Sequence, residues 1–236
     1  TIVASLVGAL NVTLWTDVDG IYSADPRIVP SAKKLNRLPN GVAKELGRLG
    51  NPVLHAKTLQ PLEKKRIHLH IASSFEPHKN GTEIGRFGQM AKSYLSVTYL
   101  NDLILAKSIS LTGANGEQAV KQFSAICSNT TSGYLVVEQS KQIALSQWLA
   151  SHYTEVAFTP VSIVAIVGYE ISKQGDIKAR FIRALKNYQP IHLLSSSNEH
   201  SLIAILPQAC TAETVNNVHY DITKIAIPTG VLVASL

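Results

Sequence analysis

Cysteine is scarce in this chain: only Cys127 and Cys210 occur among 236 residues, and they make no metal-ligand spacing. Both lie in otherwise apolar, helix-like patterns, which reads as buried, reduced thiols and a cytoplasmic setting. No apolar stretch approaches the ~20 residues needed to span a bilayer. No charged segment precedes the apolar opening residues, so a secretory leader is not expected, and the chain is expected to keep off membranes. A basic stripe interleaved with aromatic residues is also missing, which argues against a nucleic-acid partner. The net charge of +6 is spread thinly, and its densest runs, Lys33-Lys34 and Lys64-Lys65-Arg66, read as solvated surface. What is present suits a folded chain of one large or two small domains: 45% hydrophobic residues against 16% charged ones is too apolar for disorder.

Thr1 to Leu10 is apolar and rich in small residues, like a helix from the middle of a domain. Val12 to Thr16 is a strand by its β-branched and aromatic content. A turn-rich loop follows, and Val42, Leu46 and Leu49 then fall on one face of a helix that ends at Gly50. Leu54 to Leu62 reads as helix and Ile67 to Ile71 as strand, with a domain boundary near residues 85–92. Trp15 and Trp148 are expected in the core. His68 and His70 share a strand face without a third ligand, so no metal site is expected.

The second half holds a degenerate internal repeat. Its later copy runs Val161–Gly168 (strand, apolar on both faces), a helix striped by Ile177, Phe181, Ala184 and Leu185, strands Ile191–Leu194 and Leu202–Leu206, and helix Thr211–Val218. Ser195 to Ser197 forms the bend between those two strands. That β-α-β-β-α order is the core of a ferredoxin-like sandwich. The earlier copy has strand Leu103–Ser110, a helix marked by Ala119, Val120, Phe123 and Ile126, strand Tyr134–Glu138, and a helix marked by Leu145, Trp148 and Leu149. One strand is missing between its helices, and Lys224–Ile227 or Val231–Ala234 could fill the gap.

The densest chemical signal is Trp15-Thr16-Asp17-Val18-Asp19-Gly20-Ile21-Tyr22-Ser23-Ala24-Asp25-Pro26-Arg27. A strand delivers a loop with carboxylates, an aromatic ring that can stack on a base, and an arginine fork that can grip phosphate. A calcium loop fails, because Gly20 follows the second aspartate directly and no bidentate glutamate stands at the required distance. From the residues alone, a strand-to-loop turn with surface charges remains open.

Residues 15–30 resemble, almost residue for residue, the aspartokinase segment that frames the adenosine and phosphates of ATP. The register continues through Val53-Leu54-His55-Ala56-Lys57-Thr58-Leu59, then through Ser73-Ser74-Phe75-Glu76-Pro77 and Gly81-Thr82-Glu83-Ile84, which are similar to the close of that family's kinase domain. The resemblance implies an α/β fold, the end of an amino-acid-kinase-type domain (1–88), followed by α+β ferredoxin-like ACT domains. These would be a first, degenerate one (93–160 with 219–236) and a second (161–218).

Carried over by position, the resemblance implies nucleotide contacts at Thr16, Asp17, Tyr22, Arg27 and Val53, with ATP as cofactor (Mg-ATP in a full-length enzyme). Where the family has Gly-Ala-Lys-Val, this chain has Gly50-Asn51-Pro52-Val53, which keeps the valine and loses the lysine. It also implies an end-product amino acid such as lysine or threonine as feedback effector. That ligand would sit on the loop holding Asn115, Gly116, Glu117 and Gln118, although an ordinary strand-to-helix turn would read the same. A homodimer through the ACT domains is expected. The family's Lys-Phe-Gly-Gly motif is not in this chain, so no catalytic residue is assigned and the chain alone is expected not to transfer phosphate. The other reading is a non-catalytic amino-acid-binding or dimerisation module.

Overall fold

The computed structural model describes residues 2–87, 95–151 and 155–223. From the N-terminus, α1 (Ile2–Leu6) precedes β1 (Asn11–Thr16), the short pair β2 (Ile21–Tyr22) and β3 (Lys34–Leu35), and β4 (Arg37–Pro39). Helices α2 (Asn40–Arg48) and α3 (Ala56–Lys65) then lead to β5 (His68–Ser73) and β6 (Thr82–Gly85). The second part runs β7 (Ser96–Lys107), α4 (Gly113–Gln122), β8 (Cys127–Asn129), β9 (Tyr134–Glu138), α5 (Gln142–Ala150) and β10 (Ala157–Val167). It closes with α6 (Gly175–Ala184), β11 (His192–Ser195), β12 (Ser201–Leu206) and α7 (Ala212–Thr223).

The first part is an α/β layer. Its sheet has the order β1-β5-β6-β4, with β1 parallel to β5. As expected, Val42, Leu46 and Leu49 are buried in the core on one side of α2 and its cap, and the helix stops at a glycine. Asn51 N–H bonds Leu46 O at 3.0 Å across Gly50, which has φ +90, so the helix ends in a Schellman motif. A β-carbon on Gly50 would also lie 2.4 Å from a methyl of Leu100, so glycine is required there twice over. Trp15 is not a core residue: it is 55% exposed. It shares with Asn11 and Thr13 the exposed face of β1, while Val12 and Leu14 pack inward from the other face.

The second part is a six-stranded sheet of order β11-β12-β10-β7-β9-β8. β7 and β10 are long and antiparallel, and they pair along their whole length with a bulge between Val161 and Ile163. Asp102, at φ 55, sits on the opposite strand at that break. Each long strand therefore serves two β-α-β-β-α units. The C-terminal half of β7 opens the first unit, and the N-terminal half of β10 supplies that unit's last strand. The roles reverse beyond the bulge.

Side chains alternate as the pleat requires. Val164 and Ile166 join Phe181, Val215 and Val218 beneath α6 and α7, whereas Ile163, Ala165 and Val167 face the core shared with α2. Burial on both faces is what the apolar run in β10 implied. Trp148 half-buries its ring edge-on to Phe123, 6.0 Å away.

Several expectations are corrected. The strand missing from the first unit is β8, only Cys127-Ser128-Asn129, paired to β9. Cys127 thus lies in a strand and Cys210 in a loop ahead of α7, not in helices. Both are free thiols, and burial pushes the Cys127 pKa up to about 12. β7 begins at Ser96 rather than Leu103, and α7 continues to Thr223. The alternative strands at 224–227 and 231–234 lie outside the described residues.

Candidate functional site

β1 ends at Thr16 and delivers the Asp17–Gly20 turn, after which β2 and β3 clamp the base of a loop spanning Ser23 to Lys33. A cavity of about 700 Å³ opens beside it, and Thr16, Asp17, Tyr22, Arg27 and Val53 all line it. Residues separated by up to 37 positions in sequence thus share one wall.

Asp19 organises the near side. Its carboxylate accepts from the Tyr22 hydroxyl at 2.7 Å and from Lys34 Nζ at 3.1 Å. Burial opposes its charge, but those two donors outweigh burial and hold its carboxyl below the usual range. Desolvation, then the neighbouring Asp19, pushes Tyr22 up to about 12, so its hydroxyl stays a neutral donor. Thr16 Oγ1 donates to Asp17 Oδ1 at 2.9 Å.

Arg27 is held in a fork by Asp25, with Nε–Oδ1 at 3.0 Å and Nη2–Oδ2 at 2.7 Å. That contact lowers the Asp25 pKa. The Arg27 side chain is 77% exposed and Asp25 only 18%, but Asp25 Oδ1 also accepts the Arg27 N–H at 3.0 Å, so the carboxylate keeps a donor when the guanidinium turns toward an anion. Val53 offers the cavity its side chain. Asn51 Oδ1 accepts the N–H groups of Val53 and Leu54 at 3.0 and 3.1 Å, so the Val53 amide is already committed. Pro52 has no N–H to give.

The opposite wall went unforeseen. It is built by β7 from Ser96 to Asp102 and by Val215 of α7. Ser96 Oγ donates to Tyr22 O at 2.9 Å, and Val97 N–H to Ser23 O at 2.8 Å, which welds β7 to the loop. The strand was expected to start only at Leu103, and the bulge at Asp102 lets it run back to Ser96. Asp17, Asp19, Asp25, Glu76 and Asp102 line the cavity against the single cation Arg27 among its described lining residues. An apolar and hydroxyl-bearing ligand portion fits this wall, while a polyphosphate would need added positive charge.

Asn115, Gly116, Glu117 and Gln118 are placed elsewhere. They belong to the body of α4 rather than to a loop, because the helix starts at Gly113 with Thr112 as its cap. Gly116 is buried, and a β-carbon there would meet Leu111 O at 2.1 Å; the other three are exposed. A separate concavity of about 480 Å³ lies before that helix, lined by Ser108, Thr112, Thr131 and Ser132 among others, and these four residues do not reach it. Among the described residues, no group of three His, Cys, Asp or Glu side chains converges, and no helix is long and apolar enough to cross a membrane.

Residues 1–73 match the amino acid kinase family. The chain is 29% identical to a bifunctional aspartokinase/homoserine dehydrogenase of Haemophilus influenzae, over 92% of this chain and 30% of that protein. It is 25% identical to the lysine-sensitive aspartokinase 3 of Escherichia coli, over 94% of this chain and 54% of that protein. Among solved structures, E. coli aspartokinase III in complex with aspartate and ADP superimposes with a TM-score of 0.77 at 22% identity, covering 94% of this chain and 54% of the other. The aspartate kinase of Clostridium acetobutylicum does so at 0.73 and 20%, covering 94% and 56%. At those identities the structural likeness speaks for the fold. The chain spans between 30% and 54% of the length of these curated relatives. The chain is thus similar to aspartokinases over nearly its whole length, and its residues 1–73 match the amino acid kinase family.

Proposed function

We propose that this chain is the nucleotide-side and regulatory portion of an aspartokinase. The complete protein would transfer the γ-phosphate of ATP to the β-carboxylate of aspartate. One observation carries the reading: the cavity gathers all five residues that the family resemblance marks for nucleotide. Adenosine suits the space between the Tyr22 ring and Val53 on one wall and Val97 on the other, near Asp17, a carboxylate able to accept from a ribose hydroxyl or an exocyclic amine. Arg27 would meet the phosphates. Bound Mg²⁺ would supply charge that the acidic lining lacks.

The two β-α-β-β-α units are read as tandem ACT domains of ferredoxin-like topology, since their strand order and shared central strands support it. They would bind a feedback amino acid such as lysine or threonine and pair two chains into a homodimer in the cytoplasm. A second reading, a non-catalytic amino-acid-binding or dimerisation module, draws support from the acidic cavity and from the Val53 amide being spent on Asn51. A thermal-shift series with ADP plus magnesium, lysine and threonine separates the two. Stabilisation by ADP supports the first reading; stabilisation by an amino acid alone supports the second.

A further inference from the structure

The loop that carries Asp25 and Arg27 does not pack on its own sheet. Ala24 and Val29 are buried in the hydrophobic core beneath α6 and α7, together with Phe181, Val215, Val218 and Ile222. Two polar contacts from α7 fix the loop on either side of the Asp25–Arg27 fork. Asn216 Nδ2 donates to Ile28 O at 2.7 Å, just after the fork. His219 Nε2 lies 2.9 Å from Ser23 Oγ, just before it.

The Ser23 oxygen also accepts the Lys33 N–H at 2.8 Å, so its own proton is free to go to the imidazole. Ser23 and His219 are 6% and 3% exposed, and burial lowers the His219 pKa, which keeps the ring neutral and able to accept. Val215, Asn216, His219 and Ile222 fall on one helical face at spacings of three and four. The neighbouring Asn217 points away and donates to Tyr188 Oη at 2.9 Å. The start of α7 is anchored as well: Asn101, in the cavity wall, accepts from Cys210 N–H at 2.8 Å and donates to Cys210 O at 3.1 Å.

We propose that Asn216 and His219 are positioning residues for the Ser23–Lys33 loop, so that the seating of α7 sets the nucleotide affinity of a cavity it scarcely touches. The affinity part rests on the nucleotide reading above; the positioning part does not. No side chain of α7 besides Val215 lines the cavity, so the effect must pass through the loop backbone.

The test pairs hydrogen–deuterium exchange with calorimetric titration of Mg-ADP on the full chain. In Asn216→Ala and in His219→Ala, amides of residues 23–33 are expected to exchange faster, and the ADP Kd to rise about three- to tenfold, the effect of one lost hydrogen bond. His219→Gln, which retains a polar partner for Ser23, is expected to recover most of the difference. Asn217→Ala loses a bond of the same kind from the opposite face of α7 and should leave both readouts at the wild-type value. Unchanged exchange across 23–33 in both loop-facing variants overturns the proposal, and so does an equal response in Asn217→Ala. If the wild-type chain binds no ADP, the nucleotide reading and the affinity claim fall together, while the exchange data still decide whether α7 holds the loop.

Discussion

Glu45 is the buried acid on which the two halves of the molecule meet, and replacing it with glutamine isolates its charge from its shape. Its side chain is 3% exposed. Arg48 Nη2 and Ser201 Oγ reach one carboxylate oxygen, each at 2.6 Å. Arg48 Nε and Asn198 Nδ2 reach the other, each at 3.0 Å. Ser201 and Asn198 belong to the second β-α-β-β-α unit, while Arg48 also donates to Ile126 O in the first. Glutamine can accept at only one of the two oxygen positions, and its amide nitrogen would face donors at the other. One ion pair is lost and at least one buried donor is stranded. Arg48 is about a third exposed, so the cost lies toward the lower end for a broken buried pair, about 2–3 kcal/mol.

The pH dependence supplies a second check. Burial works against the charge, but Arg48, Ser201 and Asn198 hold the folded pKa below the reference value of 4.5. The carboxylate's stabilisation is therefore fully present above pH 4.5 and is lost as the pH falls through the folded value. Urea unfolding at neutral pH should show a lower midpoint for Glu45→Gln, and the gap to wild type should narrow on acidification. Equal midpoints at neutral pH, or a gap that stays constant down to acid unfolding, would refute the assignment.

Other consequences can be measured directly. Alkylation followed by mass spectrometry should find Cys127 and Cys210 unmodified in the folded chain at mildly alkaline pH and modified in denaturant, because burial raises both pKa values. Gly50→Ala should reduce the unfolding free energy read from urea titration by about 1–2 kcal/mol for its left-handed backbone alone, and further if Leu100 cannot move. Arg27→Ala should lower the melting temperature only slightly, since the Arg27 side chain is exposed and its backbone N–H still holds Asp25, yet weaken Mg-ADP binding by about tenfold in calorimetry, as loss of a charged phosphate contact does.

Much of the first half was legible in sequence because its signals are local. The β-branched run at Val12–Thr16, the stripe of Val42, Leu46 and Leu49, and the stop at Gly50 each reappear as an element. The five nucleotide candidates converge for the same reason: the loop and the turn after α2 are both fixed by nearby strands and caps. Features that depended on distant partners were hidden. β8 is three polar or small residues whose strand character comes entirely from pairing to β9. The far wall of the cavity lies beyond the β7 bulge at Asp102, ahead of the expected strand start at Leu103. Trp15 looked like core because nothing in its neighbours says which face of β1 is covered. Asn115 to Gln118 looked like a loop, but the helix is capped at Thr112 and already includes them.

The central claim is that the cavity between the Tyr22–Arg27 loop and β7 receives the adenosine end of a nucleotide. Photolabelling with an azido-adenine analogue of ADP, followed by peptide mapping, tests it most directly. Label on the peptides holding Tyr22 or Val97, competed away by unlabelled ADP, is the predicted result. Competable label confined to another surface, or none above background, would contradict it.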